Sequence, residues 1–235
     1  MRSPFHYYKK YIERTNESKP SAKSLVLGEI LHLLVLEPHR TNDIALMPKF
    51  DGRTKEGRLN KDEFYLDNPN KIIVPYDIGA EAFKMAESIT LEQFQLLRGL
   101  QVEKSLFWND PHTDVLVKAR PDAFCENYAI DVKTTENASP ESFKRSIYNY
   151  GYHVQAAMIQ DALREVCSID IKHYIFIIIE NNAPFASATY ILDNNAIEKG
   201  RQVYKNCLLN LKECIMSNTW PAYETQIIDL PTWAY

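Results

Sequence analysis

Long apolar runs are missing from this 235-residue sequence: the longest, Tyr174 to Ile179, spans six residues. A bilayer needs roughly 20, so no membrane segment is expected. An apolar amino-terminal stretch is missing too. The chain opens with Arg2, His6, Lys9 and Lys10, which argues against a secretory signal and makes a cytoplasmic location the expectation. Cysteine is scarce, and Cys125, Cys167, Cys207 and Cys214 include no pair separated by two residues. That spacing excludes a zinc ribbon and a thioredoxin-type pair and leaves reduced thiols. Glycine, at 7, is rarer than proline, at 12. With no repeat and no low-complexity segment, flexible linkers and repeat architectures are excluded. No Gly-x-x-x-x-Gly-Lys loop is present, so the chain carries no nucleotide-binding signature of a helicase.

What is present is an ordinary globular composition, 45% hydrophobic and 25% charged, long enough to bury a core without a metal or disulfide staple. The net charge of -4 conceals a division: residues 1–61 carry +5 and residues 62–235 carry -9. A basic leading quarter on an acidic body points weakly to a polyanionic partner and equally suits a solvated surface.

Periodicity orders the elements. Residues 3–13 read as a short helix, and the polar stretch 15–20 as a loop. Leu25, Leu27, Ile30, Leu31, Leu34 and Val35 recur at helical spacing over 21–37, ended by Pro38. Residues 48–70 hold few large apolar side chains and read as an exposed loop with a helical turn near Lys61 to Tyr65. A helix is expected over 77–97. Short segments at 102–107, 113–119 and 128–133 then predict an antiparallel meander. Ser139 and Pro140 mark a helix start. A second helix is expected over 152–166, strands over 173–180 and 186–192, and a long helix from the Asp193 cap to Met216. The order predicts an α/β fold with a mixed central β-sheet flanked by helices.

Chemistry concentrates in Arg120-Pro121-Asp122 and Asp131-Val132-Lys133. Adjacent antiparallel strands joined by a short turn bring Asp122 and Asp131 together, where both ionise only beside a cation. Such oxygen-rich sites suit Mg²⁺ or Mn²⁺. Side chains alternate along a strand, so Asp131 and Lys133 share a face and Val132 points away. A lysine there can orient an attacking water, help take its proton, or neutralise charge on a phosphate. Asp-x-Lys alone more often describes an exposed ion pair at a sheet edge.

In their order along the chain, several segments resemble the PD-(D/E)xK nucleases, and among them the RecE-type exonuclease domain. LeuGlyGluIleLeuHisLeuLeuValLeuGluPro at 27–38 is similar to that group's Gly-x-x-x-His helix, and ArgThrLysGluGly at 53–57 to its basic loop. ArgProAsp at 120–122 and AspValLysThrThr at 131–135 resemble the nuclease core. GlyTyrHisValGlnAlaAla at 151–157 resembles the helix bearing a Tyr and a Gln, while TrpProAlaTyr at 220–223 and LeuProThrTrpAla at 230–234 are similar to the tail. The cysteine arrangement of the iron-sulfur relatives is absent. The chain opens on MetArgSerPro where that group shows a few residues more, implying a start placed downstream of the true one or an absent opening strand.

The resemblance implies a PD-(D/E)xK core with an N-terminal helical elaboration, in one nuclease domain over 1–235. Within it, residues 1–100 form the helical and basic-loop elaboration, 101–192 the catalytic sheet and helices, and 193–235 the C-terminal helix and tail. His32, Asp122, Asp131 and the Val132 carbonyl would hold Mg²⁺, with Mn²⁺ substituting, and Lys133 would position water. Glu103 could serve a second ion or pair with Lys104. Gln155 would orient water or phosphate, and Tyr152 would meet DNA or fill the core; His153 reads as structural. Arg53, Lys55, Arg58 and Arg120 are candidates for phosphate contact, the first three equally a solvated loop, and Arg120 also for bracing Asp122. The implied activity is Mg²⁺-dependent exonucleolytic digestion of linear duplex DNA ends, 5′ to 3′, by a homo-oligomer in the form of a ring-shaped tetramer, with a RecT-type annealing partner. A catalytically idle DNA-binding or interaction protein on the same fold and a structure-specific endonuclease remain the alternatives.

Overall fold

The computed structural model describes residues 3–15 and 23–231. The amino-terminal segment forms α1 (Pro4–Tyr7), which runs into a π-helical turn at Tyr8–Ile12. It packs on the tail: Tyr7 stacks on Trp220 with ring centroids 6.2 Å apart, and the Phe5 amide donates to the Pro221 carbonyl at 3.0 Å. Residues 16–22 and 232–235, with most of the expected polar loop, the first residues of the 21–37 helix and the end of the tail motif, lie outside the described residues.

Helix α2 (Lys23–Leu36) buries seven residues, Leu27 through Leu36. A 3₁₀ turn at Pro38–Asp43 leads to β1 (Ile44–Met47), which pairs in parallel with β2 (Ile72–Pro75). Neither strand is evident from periodicity, because each is four residues long. Between them the expected loop is a helix, α3 (Lys55–Asp67). Its exposed faces give no amphipathic signal, yet Thr54 caps it by accepting the Gly57 amide at 2.9 Å. The helix expected over 77–97 is two: α4 (Tyr76–Glu87) and α5 (Leu91–Leu97). Thr90 and Gln93 form a capping box that starts α5 afresh.

The expected meander is divided between two sheets. β4 (Leu106–Asn109) and β5 (Leu116–Ala119) make a separate antiparallel hairpin. β3 (Gln101–Val102), β6 (Ala123–Phe124), β7 (Tyr128–Thr135), β8 (His173–Glu180) and β9 (Ser187–Ile191) form the central sheet in that order. It is mixed: β7 and β8 are parallel and the other pairs antiparallel. The crossover between β7 and β8 runs through α6 (Pro140–Asn149) and α7 (Tyr152–Cys167), after which α8 (Asn194–Ser217) follows β9. Ser139 sits at the N-cap of α6 but its hydroxyl accepts no capping bond, whereas Asp193 accepts the Asn195 amide at 2.8 Å.

Alternation along β7 and β8 builds two cores. Ala129, Tyr174, Phe176 and Ile178 join α7 and α8 on one face; Ile130, Val132, Ile175 and Ile177 join α2 and α4 on the other. The four cysteines are free, and no helix among the described residues is long and apolar enough to cross a membrane.

Two glycines contrast. A Cβ on Gly200 of α8 would collide with the His153 carbonyl of α7, whereas one on Gly28 would meet nothing within 4 Å. Gly28→Ala should therefore gain the roughly 0.5–1 kcal/mol of alanine's helix preference. Gly200→Ala should lose about 1–3 kcal/mol net, because separating α7 from α8 outweighs that gain. Thermal unfolding of the two variants checks this; opposite shifts in Tm, of roughly 2–4 °C per kcal/mol for a chain of this size, are expected.

Candidate metal centre

The site begins where β6 stops. Ala123 pairs with Ile130, and one step further the register would set Asp122 against Asp131. Pro121 has no N–H to offer a ladder, so strand pairing does not continue and the backbone groups of Val132 lack a strand partner on that side. Side chains take their place. The Val132 amide donates to Asp122 Oδ2 at 2.9 Å, and its carbonyl accepts from His32 Nε2 at 2.7 Å. His32 reaches it from α2, on the opposite face of the sheet.

Glu103 enters from beyond β3 with a left-handed backbone, φ +51°, its amide donating to the Asp122 carbonyl at 2.9 Å. Its carboxylate lies 3.8 Å from His32 Nδ1 and 2.6 Å from Arg120 Nε. Arg120 therefore braces Glu103, not Asp122, and remains about half exposed. Lys104 does not pair with Glu103; its ammonium donates to Gln101 Oε1 at 3.2 Å. Ligand atoms of His32, Glu103 and Asp122 lie within 4.8 Å of one another.

Asp131, fully buried, is held from α7 and β8. Gln155 Nε2 donates to its Oδ1 at 2.7 Å, and the Tyr174 hydroxyl does so at 3.5 Å. Lys133 lies against Oδ2 as an ion pair, though that oxygen accepts no hydrogen bond. The Lys133 ammonium also sits 5.0 Å from the Tyr152 ring, so Tyr152 and Gln155 both face β7. His153 turns away, its Nδ1 3.1 Å from the Ile147 carbonyl. Tyr174 had no motif to reveal it; the parallel register sets Asp131 against Phe176, placing Tyr174 on the same face two residues away.

Lys55 and Arg58 lie in the first turn of α3 and not in a loop, whereas Arg53 lies in the turn before its Thr54 cap, nine-tenths exposed with its guanidinium 3.0 Å from Asp51. None of their bonds reaches the carboxylate cluster.

Electrostatics follow from burial. Burial first, then the Asp131 charge, lifts the Asp122 carboxyl to about 6, against the opposing pull of His32 and Lys133. For His32, burial opposes charging, but Glu103, Asp122, the Val132 carbonyl and Asp131 together hold the imidazole up to about 9. Burial likewise opposes the Lys133 ammonium and is outweighed by Asp131 and Asp122, so its pKa is raised. Lys133 in this arrangement donates a proton and does not take one.

The donor set fits a hard divalent cation. Carboxylates, a carbonyl and one imidazole converge, and the buried Asp131 Oδ2 is met by the Lys133 ammonium alone. Octahedral Mg²⁺ with bonds of about 2.1 Å sets neighbouring ligands about 3 Å apart and opposite ones about 4 Å apart. His32 Nε2 stands 2.7 Å from the Val132 oxygen and 3.7 Å from Asp122 Oδ2, within that compass.

A mixed sheet carrying Asp122, Asp131 and Lys133 in this relation defines a PD-(D/E)xK-type domain. The chain belongs to the family described as a PDDEXK-like domain of unknown function (DUF3799), whose model matches residues 1–230. Among solved structures it is similar to a "putative exonuclease" from Eubacterium rectale, at 13% identity and TM-score 0.61, over 91% of this chain and 75% of that one. That likeness speaks for the fold. The protein SSO0001 aligns over 94% of this chain and 96% of its own, at 17% identity and a TM-score of 0.33, too low to argue from. No curated protein matches the sequence.

The imidazole makes stability of the metal-free protein depend on pH. Its folded pKa of about 9 exceeds the ordinary 6.5, so the folded state binds the extra proton. That stabilisation is complete below about pH 6.5 and is lost as pH rises through about 9. In chelator, Tm should fall across this window, and His32→Gln should flatten the fall.

Proposed function

We propose that this protein is a divalent-metal-dependent nuclease acting on DNA. The observation that carries the reading is the convergence of His32, Glu103 and Asp122 within 4.8 Å, beside the Asp131–Lys133 pair. His32, Asp122, Asp131 and the Val132 carbonyl would hold Mg²⁺, or Mn²⁺ in its place, with Glu103 alongside. When bound, the cation polarises the phosphoryl group and lowers the pKa of a coordinated water.

The chain's own groups supply the rest. Lys133, held as an ammonium, orients the attacking water and offsets negative charge developing on the phosphate. Gln155 fixes the Asp131 carboxylate through one oxygen while the other pairs with Lys133. Arg120 fixes Glu103, and its exposed edge is available to a phosphate. Arg53, in the turn before α3, and Lys55 and Arg58, in its first turn, are candidates for backbone contact further along the DNA.

The finer reading rests on the resemblance to RecE-type exonucleases: digestion of linear duplex from the 5′ end, leaving 3′ overhangs for recombination. It extends to a ring-shaped homo-oligomer, a RecT-type annealing partner and a cytoplasmic location.

Purified protein should degrade end-labelled linear duplex with Mg²⁺ or Mn²⁺ and spare a closed circle. Equal cleavage of the circle would make it an endonuclease, and inactivity with both ions would leave the idle DNA-binding reading. Lys133→Ala should lower turnover by roughly two to four orders of magnitude, and Gln155→Ala by roughly ten- to a hundredfold, as measured by initial rates.

A further inference from the structure

Past the carboxyl end of β7 the site opens into a cavity of about 470 Å³, within the range of small-ligand sites. Tyr152 belongs to both spaces, since its ring lies under the Lys133 ammonium and also lines the cavity. Helix α2 joins them as well. Ser24, on the cavity wall, is eight residues before His32, with Gly28 midway on the same face. Among the described residues nothing lies within 4 Å of where a Gly28 side chain would begin, so the helix face between His32 and Ser24 is open at its midpoint.

The lining has a definite chemistry. Among the described residues the lining contains no lysine, arginine or histidine, and Glu136 is its one carboxylate. A phosphate would find no cation among these residues and one repelling charge. Hydroxyls dominate the polar groups, with Ser24, Thr134 and Ser142 among them, and each can donate or accept. Tyr150 supplies an aromatic face: it is 72% exposed, yet its ring is steadied against Tyr152 with centroids 5.6 Å apart. The turn that presents it depends on Gly151, whose φ of +69° begins α7. A neutral, flat ligand with hydrogen-bonding edges satisfies all of these features.

We propose that this cavity is a nucleobase pocket. It takes one unpaired base of the strand whose phosphate lies at Lys133, stacking it on Tyr150 and meeting its edges with the hydroxyls. The inference rests on the nuclease reading above and adds a requirement to it: the base must leave its duplex partner, because paired edges and stacked faces are not available to side chains.

The test uses single-stranded oligonucleotides carrying one abasic residue at successive positions. With Mn²⁺, wild-type protein should cleave the intact strand roughly tenfold faster than the strand abasic at one particular position, as one base–aromatic stack of about 1–3 kcal/mol implies. In Tyr150→Ala that ratio should collapse toward one, and in Tyr150→Phe it should persist. No positional preference in the wild type, or an undiminished ratio in Tyr150→Ala, overturns the pocket. Fluorescence anisotropy of the same labelled strands in EDTA separates this from failure of the nuclease reading. If nothing is cleaved, that reading fails, and the pocket still stands only if Tyr150→Ala weakens binding of the intact strand more than of the abasic one. Equal affinities would overturn it.

Discussion

One backbone residue organises the centre of this molecule. Val132 lies mid-strand in the central sheet, yet its amide and carbonyl have no strand partner on the β6 side, because Pro121 ends the ladder there. An unpaired buried backbone group costs about as much as a lost hydrogen bond, so the fold must supply substitutes. It supplies the Asp122 carboxylate for the amide and the His32 imidazole for the carbonyl. Both are groups with the chemistry of metal ligands. Interrupting the strand therefore aims three donor groups at one place, and helix α2 must lie across the sheet at the right height to bring His32 to it. The hydrophobic contacts of Leu27, Ile30, Leu31 and Leu34 with the even-numbered face of β7 hold it there.

The opposite face answers the same demand for the carboxylates. Asp131 is fully buried, and a buried carboxylate persists only when paired and hydrogen-bonded. Lys133, Gln155 and Tyr174 meet that need, two from the sheet and one from α7. Helix α7 is anchored a second time where Asp161 accepts from Arg201 at 2.9 Å and from the Tyr204 hydroxyl of α8. The close approach of the two helices at Gly200 completes the clamp. Gln155 is thus positioned by contacts some distance from the carboxylates, which gives substitutions on α8 a route to the site through packing alone.

The catalytic strand was legible in the sequence because alternation is a strong rule: Asp131 and Lys133 share a face and Val132 lies on the other. The juxtaposition of Asp122 with Asp131 was legible from the short turn between two strands. Helix α3 was not, since a helix that buries almost nothing leaves no hydrophobic period, and its evidence lies in the Thr54 cap and the charged helix-forming residues that follow. β1, β2 and the two-sheet division of the meander escaped for a related reason: short strands are defined by distant partners, which local pattern does not encode. Arg120 illustrates the same limit at the level of one side chain. Its neighbour in sequence, Asp122, was the natural partner to expect, but the left-handed turn at Glu103 delivers a different carboxylate to its guanidinium.

The division of charge along the chain also gains a physical meaning at the site. Glu103, Asp122 and Asp131 are three of the acidic groups of residues 62–235, while His32 comes from the basic leading segment. Without a metal, Arg120, Lys133 and a protonated His32 face the three carboxylates, and the high pKa of the imidazole is the consequence. His32 cannot keep the proton it donates to Val132 and also offer that nitrogen to a cation. The proton and a divalent ion would therefore be alternatives for the same position, and the acidic excess of residues 62–235 includes, at this point in the fold, the charge that would draw either of them in.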